Sequence, residues 1–234
     1  MKKLIIAALL FGTAYSGYAA AEGVSGNVAL TTDYRFRGIS QTGRNPAIQG
    51  GFDWSHESGV YLGTWASNVS FTEGGTEIDA YGGWGTDLNE NVSIDLGVLY
   101  YGYPSENKDA GYWEFYGSVG FFGATVGLNY SPEYTYDTGK YFYLYGDYSL
   151  PVNDMLTLDA HVALNQFNSD QDFANFGIGG GGDNYIDYSV SATVPYFGVD
   201  WTLAWIGTDI KERECFGGSK DCKGNVVLTV SKSL

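Results

Sequence analysis

The 234-residue chain has little of what helical, nucleic-acid-binding or metal-dependent proteins are made from. Its 12 Lys and Arg stand against 27 Asp and Glu. So acidic a chain lacks the basic surface that phosphate backbones require, which excludes nucleic acid as a partner. With 2 His and 2 Cys, it has no cluster of soft ligands from which to build a metal centre, and no cofactor motif takes their place. Beyond Phe11, no apolar run approaches the roughly 20 residues that a membrane-spanning helix needs. No long stretch repeats apolar residues at helical spacing either, so helices are not the main material.

The first residues stand apart. Met1, Lys2 and Lys3 give a positive start, Leu4 to Phe11 are uninterruptedly apolar, and small residues lead to Ala19-Ala20-Ala21 before Glu22. This pattern reads as a secretory signal peptide over 1–21, leaving 22–234 as one domain. Losing Lys2 and Lys3 makes the formal charge of −15 more negative still. Such acidity suits either a solvated surface or a cation-attracting cavity.

What the chain does have is 34 Gly, 20 Tyr, 13 Phe and 6 Trp, arranged in stretches that alternate apolar and polar residues. About twelve strands are predicted, near 24–36, 46–55, 59–69, 76–87, 91–103, 111–122, 124–133, 140–150, 154–166, 184–194, 197–207 and 225–234. Most have the length a tilted transmembrane strand requires. Tight connections fall at His56-Glu57-Ser58, Leu88-Asn89-Glu90, Gly123, Pro151-Val152-Asn153 and Pro195-Tyr196. They alternate with longer polar ones, above all Asn168 to Asp183 and Thr208 to Gly224. Sorting of loop length by parity predicts an all-β, up-and-down antiparallel transmembrane β-barrel with short periplasmic turns and longer external loops.

The aromatics then choose which face meets lipid. Trp113, Phe115, Phe121, Tyr130, Phe142, Tyr148, Phe197, Trp201 and Trp205 share the apolar faces, many toward strand ends, as an interfacial girdle requires. The polar faces then line the lumen. Candidate lumen residues are Asp33, Arg35, Arg37, Glu77, Asp79, Asp95, Glu114, Asp147, Asp159, His161, Asp187 and Asp200. On a first strand running to residue 36, Asp33, Arg35 and Arg37 face the lumen mouth while Tyr34 and Phe36 turn to the lipid interface. Opposed charges at one level give a transverse field of the kind that selects ions. The competing reading is a salt-bridged plug. Inward Tyr81, Tyr101, Tyr116, Tyr141, Tyr143 and Tyr145 are expected to narrow the bore further.

Other motifs point less far. Cys215 and Cys222, in the last long loop of an exported chain, are expected to form a disulfide. Gly177 to Gly182 lacks the Lys and helix start of a phosphate loop and reads as a flexible external loop. Asp170, Asp172 and Asn175 lack the Gly and Glu spacing of a calcium loop. Among possible bases, His56 falls in a turn and His161 lies on a polar face beside Asp159; nothing selects a carboxylate pair, so the chain is not read as an enzyme.

Three stretches carry a resemblance: TTDYRFRGISQT at 31–42, PAIQGGFDWSHESGVYLGTWASNV at 46–69 and IDAYGGW at 78–84. They resemble the TorF-type porin family of Gram-negative bacteria, otherwise described as a domain of unknown function. The resemblance implies an outer-membrane barrel with a porin-like role, brings no catalytic residues and names no solute. The expected function is passive diffusion of ions or small polar solutes through a narrow acidic lumen, with outer-membrane lipid as the surrounding partner. The alternatives are a structural or adhesive barrel with a closed, salt-bridged lumen and, behind it, a membrane-embedded hydrolase.

Overall fold

The computed structural model describes residues 23–72, 75–104, 106 and 110–234; the expected signal peptide, 1–21, lies outside them. Fourteen strands are formed by these residues. The first three are β1 (Gly23–Thr31) and a miniature pair, β2 (Arg35–Phe36) and β3 (Ile39–Ser40). The next six are β4 (Ala47–Ser55), β5 (Val60–Asn68), β6 (Thr76–Asn89), β7 (Val92–Gly102), β8 (Tyr112–Phe121) and β9 (Ala124–Ser131). The last five are β10 (Tyr141–Asn153), β11 (Leu156–Phe167), β12 (Asn184–Tyr196), β13 (Val199–Thr208) and β14 (Asn225–Ser233).

All but β2 and β3 form one closed antiparallel barrel in which each strand pairs with its neighbours in sequence and β1 closes onto β14. The closing seam runs from Asn27 opposite Ser233 to Thr31 opposite Thr229. Closure leaves no unpaired edge, which is what a sheet surrounded by lipid requires. Val24, Ile48, Phe52, Leu62, Leu128 and Val190 point outward and are exposed. Exposed Trp113 and Phe142 mark the external end of this band, and Trp54, Phe121 and Trp201 the other. The inward faces carry Tyr, Ser, Thr and acids.

Loop lengths sort as expected, with three boundaries displaced. β6 continues through Leu88 to Asn89, with a register shift between Asp87 and Asn89, so its turn falls at Glu90-Asn91. β10 continues through Pro151 to Asn153, with a register shift between Pro151 and Asn153, so the turn falls at Asp154-Met155. β12 continues through Pro195 to Tyr196, and the turn is Phe197-Gly198. Pro195 lies beyond the last pair of β12 with β11, Thr157 opposite Thr193, so its missing N–H removes no bond on that side of the ladder.

A larger difference concerns β1, which stops at Thr31 rather than continuing to 36. Thr32 still bonds Leu228 through its N–H at 3.0 Å. The chain then turns into the barrel, and 32–46 form an inward loop. Its tip is a two-residue hairpin in which Arg35 opposes Ser40 and Phe36 opposes Ile39. The connecting Arg37 and Gly38 both take positive φ, 49° and 79°, the requirement of a type I′ turn. A Cβ on Gly38 would come within 2.5 Å of Thr208 and 2.8 Å of Asp187, so only Gly fits here.

Two external loops cover the mouth. In 168–183, helix α1 (Asp170–Asn175) starts at Ser169, whose hydroxyl accepts from the Asp172 N–H at 3.2 Å. Asp170 and Asp172 thus serve the first turn of a helix. In 209–224, Cys215 and Cys222 form the expected disulfide. The glycine run is not a free flap: its Ile178 is buried and bridges Cys215, and Gly179 N–H bonds the Glu214 carbonyl at 2.6 Å.

Candidate functional site

The lumen divides into two halves of different construction. Near the external strand ends, Glu77 and Asp79 on β6, Glu114 on β8 and Asp187 on β12 point inward and are buried. Into this ring the inward loop delivers Asp33, Arg35 and Arg37, also buried. Asp33, Arg35 and Arg37 therefore belong to an inserted segment and not to the wall, and Tyr34 and Phe36 face the interior instead of lipid. Tyr34 packs edge-on against Trp65 at 5.4 Å and Phe36 against Tyr101 at 5.4 Å.

Each charge of the loop meets a partner. Arg35 Nε donates to Asp33 Oδ2 at 2.9 Å, and its Nη1 donates to the carbonyls of Gly38 at 2.8 Å and Asp221 at 3.2 Å. Asp33 also accepts from Ser40 Oγ at 2.6 Å and Asn225 Nδ2 at 2.9 Å. Arg37 Nη2 donates to Glu114 Oε2 at 2.7 Å across 77 positions of sequence. Tyr34 donates to Glu77 at 3.1 Å, and Tyr185 to the Arg37 carbonyl at 3.2 Å. The loop is thereby tied to β6, β8, β12 and the disulfide loop at once. Both side chains of the Arg35–Asp33 pair have 0% exposure, so the opposed charges touch within a packed plug and do not face each other across an open bore.

Aromatic rings complete the plug. The Arg37 guanidinium lies 4.6 Å from the Phe36 ring, 4.9 Å from Tyr141, 4.3 Å from Tyr143 and 5.9 Å from Tyr134, within cation–π range. Tyr134, on the loop between β9 and β10, stacks on Tyr141 at 4.0 Å. Burial pushes its phenol up to about 12, so the ring stays neutral.

Further in, the wall changes character. Tyr81 lies over Gly63, Tyr61 over Gly83, Tyr116 over Gly97 and Tyr145 over Gly127, each close enough that an added Cβ would meet the ring or its hydroxyl within 2.5 Å. These rings lie flat on the wall because their cross-strand neighbours have no side chain. They narrow the bore less than six projecting tyrosines would. Their hydroxyls serve acids: Tyr61 donates to Asp95 at 2.7 Å and Tyr81 to Asp53 at 2.5 Å. Asp53, absent from the sequence-derived candidates, was legible from its place between outward Phe52 and Trp54 on β4. Asp159 accepts from Ser149 at 2.7 Å and Ser191 at 3.3 Å. Asp200 sits half-buried near the periplasmic end of β13, opposite Pro195 and Ser231.

His161 is bracketed by Asp147, 2.6 Å from Nδ1, and Asp187, 3.1 Å from Nε2, with the Tyr143 hydroxyl 2.9 Å from Nε2. Its partners come from the adjacent strands rather than from Asp159: Asp147 lies directly opposite it on β10, where cross-strand residues approach most closely, and Asp187 reaches it diagonally from β12, where it opposes Ala163. Asp187 also accepts from Asn165 at 2.6 Å. With both ring nitrogens engaged by carboxylates and a phenol, neither is aimed at a Ser or Thr hydroxyl.

The fold has solved relatives in shape. The NanC porin matches with a TM-score of 0.55 at 9% identity, over 89% of this chain and 98% of that one. The KdgM porin matches at 0.56 and 9%, over 89% and 97%. A KdgM porin in complex with disordered oligogalacturonate matches at 0.54 and 8%, over 90% and 96%. Identities this low establish the fold alone, a closed antiparallel β-barrel of the kind these porins share. The comparison with curated proteins found no match. Residues 15–234 match a family model, and the chain belongs to that family, described as "Bacterial protein of unknown function (Gcw_chp)".

Proposed function

We propose that this barrel is a narrow outer-membrane channel for passive diffusion of ions or small polar solutes, with a preference for cations, in keeping with its resemblance to the TorF-type porins. The observation that carries the reading is the inner half of the lumen. Asp53, Asp95, Asp147 and Asp159 point inward there, over tyrosines laid flat on glycines. A wall built to hold rings aside while presenting carboxylates suits a water-filled path, and acids in a confined, low-dielectric bore raise the local concentration of cations. The neighbouring KdgM structure holds oligogalacturonate; a polyanion of that kind is disfavoured here by the same acids. Twelve strands lie between the side-chain-filled barrels of about 8 and the open ones of 16 to 18, which suits a small bore.

A second reading, a structural barrel with a closed lumen, draws on the outer half, where the loop of 32–46 fills the mouth with buried ion pairs. Planar-bilayer recording of the purified, refolded protein separates the two. A channel gives conductance steps and, in a salt gradient, a reversal potential on the cation side. Silence at every salt concentration and voltage, in the wild type and in a variant whose inward loop is replaced by a short linker, would remove the channel reading and leave the structural one.

A further inference from the structure

The place where Arg37 rests is built like a receptor for a solute. Three rings contributed by the wall and its loops, Tyr134, Tyr141 and Tyr143, surround the guanidinium at 5.9, 4.9 and 4.3 Å. Below them Glu114 is fully buried on β8, oriented by Asn129 Nδ2 at 3.0 Å and the Tyr101 hydroxyl at 3.3 Å. Neutral rings and one carboxylate are what recognises a delocalised organic cation. We propose that this cage is a binding site for the guanidinium group of a small solute, and that Arg37 occupies it at rest as a tethered stand-in that an arriving guanidinium displaces.

Three observations indicate that Arg37 is a replaceable occupant. It uses the site incompletely: Nη2 meets Glu114 Oε2, while Arg37 Nη1 and Glu114 Oε1 are both buried without a hydrogen-bond partner. A free guanidinium can take both oxygens in the parallel two-bond geometry that favours this group over an ammonium. Arg37 also holds a φ of 49°, a left-handed conformation that disfavours any non-glycine residue and is relieved when the loop leaves. Finally, the outer ring sets five acids, Glu77, Asp79, Glu114, Asp187 and Asp33, against Arg35 and Arg37, so acids already outnumber arginines there and departure of Arg37 widens the excess. Phe36, the fourth ring at 4.6 Å, belongs to the loop and leaves with it. The inference deepens the channel reading by naming a solute class, and rests on that reading only for transport.

Binding is testable without a membrane. Methylguanidinium and methylammonium are titrated by calorimetry into the refolded full chain in detergent: wild type, Arg37→Met, and Arg37→Met with Glu114→Gln, each checked for barrel formation by heat-modifiable migration on a gel. Arg37→Met is expected to bind methylguanidinium at least about tenfold more tightly than wild type, since it removes a tethered competitor of millimolar effective concentration. Glu114→Gln is expected to erase that gain, and methylammonium to show little of it. Should Arg37→Met not fold, Arg37→Gln takes its place. Equal affinity in wild type and the folded Arg37 variant, or no preference for methylguanidinium over methylammonium, overturns the site. A protein that binds as expected yet never conducts keeps the site and loses the channel.

Discussion

The outer and inner halves of this lumen are lined by the same strands, with the same inward parity, and yet they are opposite in construction. In the outer half, Glu114 and the Asp33–Arg35 pair are sealed from solvent at 0% exposure by a loop that folds in from the mouth. In the inner half, Asp147 and His161 keep 17% and 11% exposure, Asp95 is buried under the Tyr61 hydroxyl, and tyrosines lie back against glycines. Parity decides which residues face inward. Whether an inward residue lines a path or fills it is decided by what the loops deliver.

Changes on the outer side should therefore alter opening, and changes on the inner side only the ease of passage. The largest effect among point changes is expected from Arg35→Ser with Arg37→Ser. Each removal leaves a buried carboxylate uncompensated, at a cost of about 3–5 kcal/mol, which is more than a surface loop contact can hold. Bilayer recordings are expected to show a several-fold rise in open time and a reversal potential moved further toward cations, because the acids remain without their counter-charges. An unchanged potential would mean that these arginines do not face the conducting path.

Glu114→Ala comes next. It strands Arg37 in the cage with a similar penalty but leaves the Asp33–Arg35 anchor in place, so opening is expected to rise less than in the double variant. Smaller again is the effect of reducing Cys215–Cys222. A loop of this length contributes about 2–3 kcal/mol on the chain-entropy account, and it holds the Asp221 carbonyl that receives Arg35 Nη1 at 3.2 Å and the Ser40 N–H at 3.0 Å. Added reductant is expected to increase brief openings, and the Cys215→Ser, Cys222→Ser variant to be indifferent to it. The smallest effect belongs to the inner half: Gly127→Ala puts a Cβ within 2.2 Å of the Tyr145 ring, tips the ring into the bore, and is expected to lower unit conductance by less than half with opening unchanged. A change in opening instead would blur the distinction between the halves.

Much of the wall was legible because it obeys local rules. Val92 to Tyr101 and Leu156 to Asn165 alternate cleanly, and short connections separate them from their partners, so period and punctuation agree. The boundaries at Pro151 and Pro195 misled because proline reads as a turn, yet both sit where a strand end makes its missing donor inexpensive. The loop of 32–46 was hidden by its own alternation: Asp33, Arg35 and Arg37 against Tyr34 and Phe36 continue the pattern of β1 without a break. The one local sign of a reversal was Arg37-Gly38, a weaker hairpin signal than Asn-Gly. Its partners, Glu77, Glu114, Tyr185 and Asp221, are too far away in sequence for any local pattern to join them. Asp53 is a different case, since its inward position could be read from β4 alone.

We propose a conducting barrel that one inward loop closes from outside. Its most direct test is a pair of bilayer recordings, wild type beside a variant in which residues 34–43 are replaced by a short Gly-Ser linker, both verified as folded by heat-modifiable migration. Rare, small openings are expected in the wild type, and steady, several-fold larger, cation-preferring conductance in the variant. Equal conductance in the two would show that the loop closes nothing, and silence in both would show that the barrel is not a channel.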